Sequence, residues 1–170
     1  MLNFFKSKPY KQADNLDLKF YAESNLTDLY GPITEYEDIW KADGKRIVAA
    51  LRKYSGLNFD EDFINVLVCD RFMSQSHPLL LGAKLDLDGK KCTLMHELAH
   101  RIAYKKRNLD HVADKDDSYE LHVHLDLFLY DAWKEVYGEG FANACVEMEK
   151  KITAKDDRVY RPAWEKVMQM

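Results

Sequence analysis

At 170 residues, 46% of them hydrophobic and 32% charged, the chain has the length and composition of one compact domain and is too apolar for a disordered one. Its formal net charge of −4, with lysines and arginines scattered along it, argues against a general nucleic-acid binder, which would carry a basic stripe or patch. Cys69, Cys92 and Cys145 form no C-x-x-C pair, and their odd number suits buried thiols in a reducing compartment. The opening Met1 to Lys6 is too short for a signal-peptide core, and no apolar run approaches the roughly 20 residues of a membrane span, so a cytoplasmic location without a membrane partner is expected.

Along the chain, residues 1 to 33 mix aromatic and polar residues without a clean period and read as loops with short pieces of helix or strand. From Tyr36 to Tyr54 the apolar residues Ile39, Trp40, Ile47, Val48 and Leu51 recur at helical spacing; Asp43-Gly44 is a candidate bend, and Gly56 closes the element. Phe63 to Cys69 reads as a buried strand, and Leu79 to Leu87 as a second. Asp88-Gly89 supplies a turn, after which a helix is expected from Cys92 or Thr93 to Lys106, with the Lys105-Lys106-Arg107 cluster as its cationic end. A polar loop over 107 to 117 leads to a helix capped by Asp116, Asp117 or Ser118 and running to Tyr137. Gly138 and Gly140 close it; a further helix over Phe141 to Ile152 and a last short turn after Arg161 complete the chain. No repeat and no long linker divides it, so a single domain over 1–170, with its core at about 60–152, is expected.

The chemistry concentrates in His96-Glu97-Leu98-Ala99-His100. Residues four apart share a helix face, so His96 and His100 direct ring nitrogens at one point, while Glu97, rotated by about 100°, reaches a water on a cation held there without being a ligand. Zinc lowers the pKa of a bound water to about 7, and a neighbouring carboxylate takes its proton during attack on a polarised carbonyl. With this chain's own His and Glu frequencies, H-E-x-x-H arises by chance about one time in a hundred. Its setting agrees with the motif: the segment is free of proline, and Met95, Leu98, Ala99, Ile102 and Ala103 give it an apolar face.

The ten residues from Thr93 to Ile102 resemble the active-site helix of the zincin metallopeptidases. Glycine and histidine, which the metzincin branch requires soon after the motif, are replaced here by Ala103 and Lys106; the gluzincin branch, with its single-domain minigluzincins, is the more similar. The resemblance implies a single small α+β domain, mostly helical, with a short antiparallel sheet beside the active-site helix, Zn2+ as cofactor, and a peptide or protein substrate. It also implies an edge strand above the metal, in the place of Leu79 to Leu87. Arg101 departs from the family's pattern, in which an uncharged residue follows the second histidine.

A third ligand is expected from the helix that starts near Ser118, where Glu120, His122 and His124 compete. Glu120 stands twenty positions after His100, a separation that resembles gluzincins, yet it points nearly opposite the apolar stripe of Leu121, Leu125, Phe128, Leu129, Ala132 and Val136. His122 lies close to that stripe, and Asp126 one turn on is placed to accept a hydrogen bond from its ring or from a ligand on the neighbouring helix; His122 with Asp126 also resembles the gluzincin pattern of a ligand followed four residues later by an aspartate, with histidine in place of glutamate. His122 therefore ranks first, Glu120 is the alternative, and His124, beside Asp131, comes last. Tyr119, Tyr130, His77 and His111 are open candidates for oxyanion stabilisation. The expected function is zinc-dependent peptide hydrolysis with Glu97 activating water; its rival is a catalytically inactive, zinc-stabilised interaction module.

Overall fold

The computed structural model describes residues 16–24, 28–104, 115–152 and 159–170, with the backbone alone at 104 and 115–118. Its elements run β1 (Asp17–Ala22), α1 (Tyr30–Ser55), β2 (Phe63–Cys69), β3 (Leu79–Gly82), α2 (Leu87–Tyr104), α3 (Lys115–Tyr137), α4 (Glu139–Glu149) and α5 (Tyr160–Val167). This is an α+β domain, as expected, but its sheet differs. The strands lie in the order β1-β2-β3, and both pairings are parallel: Leu18 faces Ile64 across the first and Val68 faces Leu81 across the second. The expectation of an antiparallel sheet is therefore corrected. The physical reason lies in the connections: α1 carries the chain from β1 back to the start of β2, and a crossover of that kind delivers a parallel neighbour.

β1 falls in the stretch expected to be mostly loop. It forms because Leu16, Leu18 and Phe20 alternate, and all three are buried against the core. The helix expected over Tyr36 to Tyr54 is longer, and it runs through Asp43-Gly44 without dividing. Gly44 serves close packing there instead, since a Cβ would stand 2.8 Å from the Trp40 ring. Gly56 closes α1 with φ 66° and returns its N–H to the Arg52 carbonyl at 3.0 Å.

β2 has its expected bounds, whereas β3 stops at Gly82 rather than running on to Leu87. Asp86 is the cause. Its side chain accepts the Gly89 N–H at 2.8 Å and its carbonyl accepts the Lys90 N–H at 2.9 Å, so Leu87 already belongs to a helix and Asp88-Gly89 lie in its first turn. α4 likewise begins early, and Gly140 lies within it instead of closing α3. The Lys105-Lys106-Arg107 cluster, most of the polar loop over 107–117 and His111 lie outside the described residues, as do the side chains of the expected caps Asp116, Asp117 and Ser118.

One apolar cluster runs from the sheet through α1 to α2, α3 and α4, and the Tyr36 hydroxyl donates to the Gly82 carbonyl at 2.9 Å across it. Cys69, Cys92 and Cys145 are free thiols buried in the protein. No helix among the described residues is long and apolar enough to cross a membrane.

Candidate metal centre

α2 carries His96, Glu97 and His100 because its other side, Leu94, Met95, Leu98 and Ala99, is fully buried and fixes the helix's rotation. The two rings converge, with Nε2 of His96 2.9 Å from Nε2 of His100. α3 approaches on its own apolar stripe, Leu125, Leu129, Ala132 and Trp133, and brings in His122. The His122 ring centroid lies 5.0 Å from that of His100 and 5.7 Å from that of His96. Ligand atoms from the three side chains all lie within 4.8 Å of one another.

This donor set fits a cation. Three imidazole nitrogens suit zinc and its first-row neighbours, and a tetrahedral zinc with Zn–N near 2.0–2.1 Å holds its ligand nitrogens about 3.3 Å apart. The His96–His100 nitrogen pair, at 2.9 Å, is somewhat closer than that, and all three ligand atoms lie within 4.8 Å of one another. Of the rival ligands, Glu120 is exposed, with Lys166 Nζ 3.9 Å from its carboxylate, and His124 is exposed as well. Neither joins the group.

Glu149 is the residue that sequence reasoning missed. α4 places it on the stripe Ala142, Cys145, Val146, Glu149, so an acid occupies the next apolar position and is buried with the rest. One of its oxygens lies 2.7 Å from His96 Nδ1, and the other accepts the Trp164 indole N–H at 2.7 Å. The Cys92 thiol also points at this carboxylate, 3.9 Å away. Trp164 is held in turn by stacking on Trp133, with ring centroids 5.5 Å apart. The contact with Nδ1 is an ion pair outside hydrogen-bond geometry, and the carboxylate's charge favours a proton on Nδ1, leaving Nε2 to face the other imidazoles. A signal for this residue existed in the sequence, as a glutamate continuing an apolar helical stripe.

The groups perturb one another strongly. Burial alone would lower the His96 pKa, but the Glu149 carboxylate, aided by Glu97 and Asp126, outweighs it and lifts the ring to about 9. His100 is pushed well down, first by burial and then by His96 and His122, which leaves it a neutral donor. Glu97 rises to about 7, chiefly by burial, with His96 opposing and Glu149 reinforcing. Asp126 rises to about 9 for the same leading reason, with Glu149 adding to it and His96 opposing. Both Asp126 oxygens are buried without a hydrogen bond among the described residues, so the expected bond from His122 is not formed.

Compared with known proteins, the chain matches no family model, no curated protein and no solved structure.

A cleft of about 340 Å3 opens over His96 and Glu97, and Tyr160 forms part of its wall. The Tyr160 ring centroid stands 4.7 Å from that of His122, and burial raises its hydroxyl, so the phenol stays protonated and is a donor. Among the described residues, none of the phenols and histidines singled out in the sequence lines this cleft. Tyr130 donates to Asn143 at 2.9 Å on the surface, and Tyr119 lies under Lys166. Asp131 is exposed, while His77 is exposed yet close enough to His100 to lower its pKa.

Arg101, the departure from the zincin pattern, also has a role in the geometry. Its guanidinium binds the Glu61 carboxylate through Nε at 3.1 Å and through Nη2, and Nη1 donates to the Ser76 carbonyl at 2.6 Å. The arginine thus ties the chain before β3 to the helix that holds the histidines. That stretch is further fixed by the paired bonds between Gln75 and Leu80, of 3.0 and 2.8 Å, and by the Gly82 N–H donating to Ser74 Oγ at 3.0 Å. A Cβ on Gly82 would stand 2.6 Å from the Arg71 carbonyl oxygen, so only glycine admits this close approach. β3 consequently has β2 on one side and the Ser74–Gln75 segment on the other. β3 is the edge strand of the sheet, as expected for this stretch, and its outer side is bridged at Leu80 by Gln75.

Proposed function

We propose that the protein is a metal-dependent hydrolase acting on peptide bonds. One observation carries the reading: three imidazoles converge, and one of them, His96, lines an open cleft together with the buried carboxyl of Glu97. His96, His100 and His122 would hold a divalent cation, zinc by the donor set, which supplies Lewis acidity towards a carbonyl oxygen and acidifies water at the site.

The remaining work falls to the chain's own groups. With its pKa lifted towards neutrality by burial, Glu97 is matched to take a proton from the attacking water as the new C–O bond forms. The same carboxyl then hands that proton to the leaving amine nitrogen as the C–N bond breaks. Tyr160, protonated and on the cleft wall, is placed to donate to the developing oxyanion. Glu149 acts through His96, holding its ring in the ligating tautomer. The cleft reaching Glu97 favours turnover over a purely structural metal, because structural zinc sites are closed by four protein ligands.

The test is peptide cleavage by zinc-loaded parent and by Glu97→Gln. The variant is expected to keep the metal and to lose about 10²- to 10⁴-fold in rate. Equal cleavage by both proteins would remove Glu97 from the reaction and the proposal with it.

A further inference from the structure

α5 meets the histidine cluster through two aromatic side chains one helical turn apart. Tyr160 lays its ring against His122, with centroids 4.7 Å apart, and Trp164, fully buried, gives its indole N–H to one oxygen of Glu149 at 2.7 Å. The other oxygen of that carboxylate faces Nδ1 of His96 at 2.7 Å, so a line of contacts runs from α5 through Glu149 to one of the three converging rings. The indole also stacks on Trp133 of α3, with centroids 5.5 Å apart and planes 24° from parallel. Its N–H is therefore aimed by a packed aromatic pair.

The outward side of α5 contributes less to its place. With eight residues the helix is too short to persist in isolation. Arg161, Glu165 and Lys166 are exposed, and the ties they make, Arg161 Nη2 to the Lys150 carbonyl at 3.4 Å and Lys166 Nζ to Glu120 at 3.9 Å, are surface contacts of the kind that stabilise little. The inward contacts of Tyr160, Ala163 and Trp164 decide whether α5 is docked. Docking fixes one oxygen of Glu149 and so leaves the other on His96; with α5 lifted away, the indole no longer sets the carboxylate's rotation. Losing an outer partner of a ligating histidine weakens metal affinity by about 10- to 100-fold. Linkage makes such an effect reciprocal: whatever factor docking adds to metal affinity, the metal adds to docking.

We propose that α5 is a metal-linked latch: its docking through Trp164, a positioning residue, holds Glu149 on His96 and strengthens cation binding by His96, His100 and His122, and a bound cation holds α5 down in return. The inference rests on the metal-site reading above and not on peptide hydrolysis.

Hydrogen exchange followed by mass spectrometry, on the intact chain metal-free and with one equivalent of zinc, reads the docking of α5, and competition titration reads zinc affinity. Zinc is expected to slow exchange over residues 160–170 by about tenfold or more. Trp164→Phe, which keeps an aromatic ring but has no N–H, should cut that slowing to less than about threefold while exchange across α2 stays zinc-sensitive, and should weaken zinc binding about tenfold. In a Glu149→Gln background the same substitution should leave the Kd within about twofold, because the indole reaches the metal only through that carboxylate; lost packing alone would act equally in both backgrounds. Glu165→Ala, on the exposed face, should change neither reading. Where Trp164→Phe fails to fold, Glu149→Gln alone decides, since it too must cut the zinc effect on α5. Exchange over α5 that ignores zinc while α2 responds, or a Trp164→Phe effect on the Kd that is the same in both backgrounds, would overturn the latch and leave the metal site standing. A parent that takes up no zinc refutes both. Coupling without peptide cleavage upholds the latch and refutes the hydrolase.

Discussion

Around α1 and the sheet, Ile47, Leu51, Val66, Val68 and Leu81 are buried with little that is polar, and the phenol of Tyr36 is satisfied by the Gly82 carbonyl. Where α2, α3 and α4 meet, His96, Glu97, His122, Asp126 and Glu149 are buried together. The first region is stabilised by removing apolar surface from water and needs nothing further. The second gathers ionisable groups in a medium that disfavours their charges, and their shifted pKa values record the resulting conflict. Maintaining such a region beside a sound apolar core costs stability, as the proposed site would require.

The comparison can be broken by asking which region responds to a cation. In the apolar region, Leu81→Ala should cost about 2–5 kcal/mol by denaturant unfolding, the same with or without zinc. In the polar region, zinc at about a thousandfold over its Kd should raise stability by about 4 kcal/mol. That gain should vanish in His122→Ala. A zinc-dependent gain that survives the substitution would show that His122 is not part of the site.

Glu149→Gln sharpens the contrast, since the amide keeps the shape but loses the charge on His96 Nδ1. Zinc affinity should fall about 10- to 100-fold by competition titration, while the fold persists. An unchanged Kd would reduce Glu149 to a partner of Trp164 alone.

How far these regions were legible follows from the distance over which each signal acts. The His96, Glu97 and His100 constellation is local, set by helical periodicity, and the bounds of β2 follow from its run of Ile and Val between polar residues. His122 could be ranked above Glu120 because the stripe on α3 shows which way each side chain faces and because His122 with Asp126 resembles the gluzincin spacing of ligand and aspartate. Glu149 lies far from the motif in sequence, and an acid at the end of an apolar stripe resembles a helix terminus until the packing is seen. The parallel sheet was hidden for a related reason: Tyr21 and Ala22 blur the alternation of Leu16, Leu18 and Phe20, and without β1 there is no crossover to set the direction. The zincin resemblance supplied the antiparallel expectation, and the chain's own connections overrule it.

The pH dependence of metal uptake is a finer probe. The ring of His96, with its pKa raised to about 9 in the metal-free protein, must give up its Nε2 proton to bind a cation while Nδ1–H stays with Glu149. Below about 9 the proton competes, so the apparent Kd should rise by up to about tenfold for each pH unit from 9 down to 6. A flat profile would mean that the ring is already neutral at pH 6. The smallest effect is expected at Glu120, exposed on α3, where Glu120→Ala should leave both zinc affinity and unfolding within about 0.5 kcal/mol of the parent.

X-ray absorption at the zinc edge, on untagged protein loaded to one equivalent, addresses the central claim most directly. The account predicts three imidazole nitrogens near 2.0–2.1 Å with a further light-atom position not filled by the protein. Sulfur scattering from a cysteine, fewer than three imidazoles, or a fourth protein ligand closing the site would contradict it.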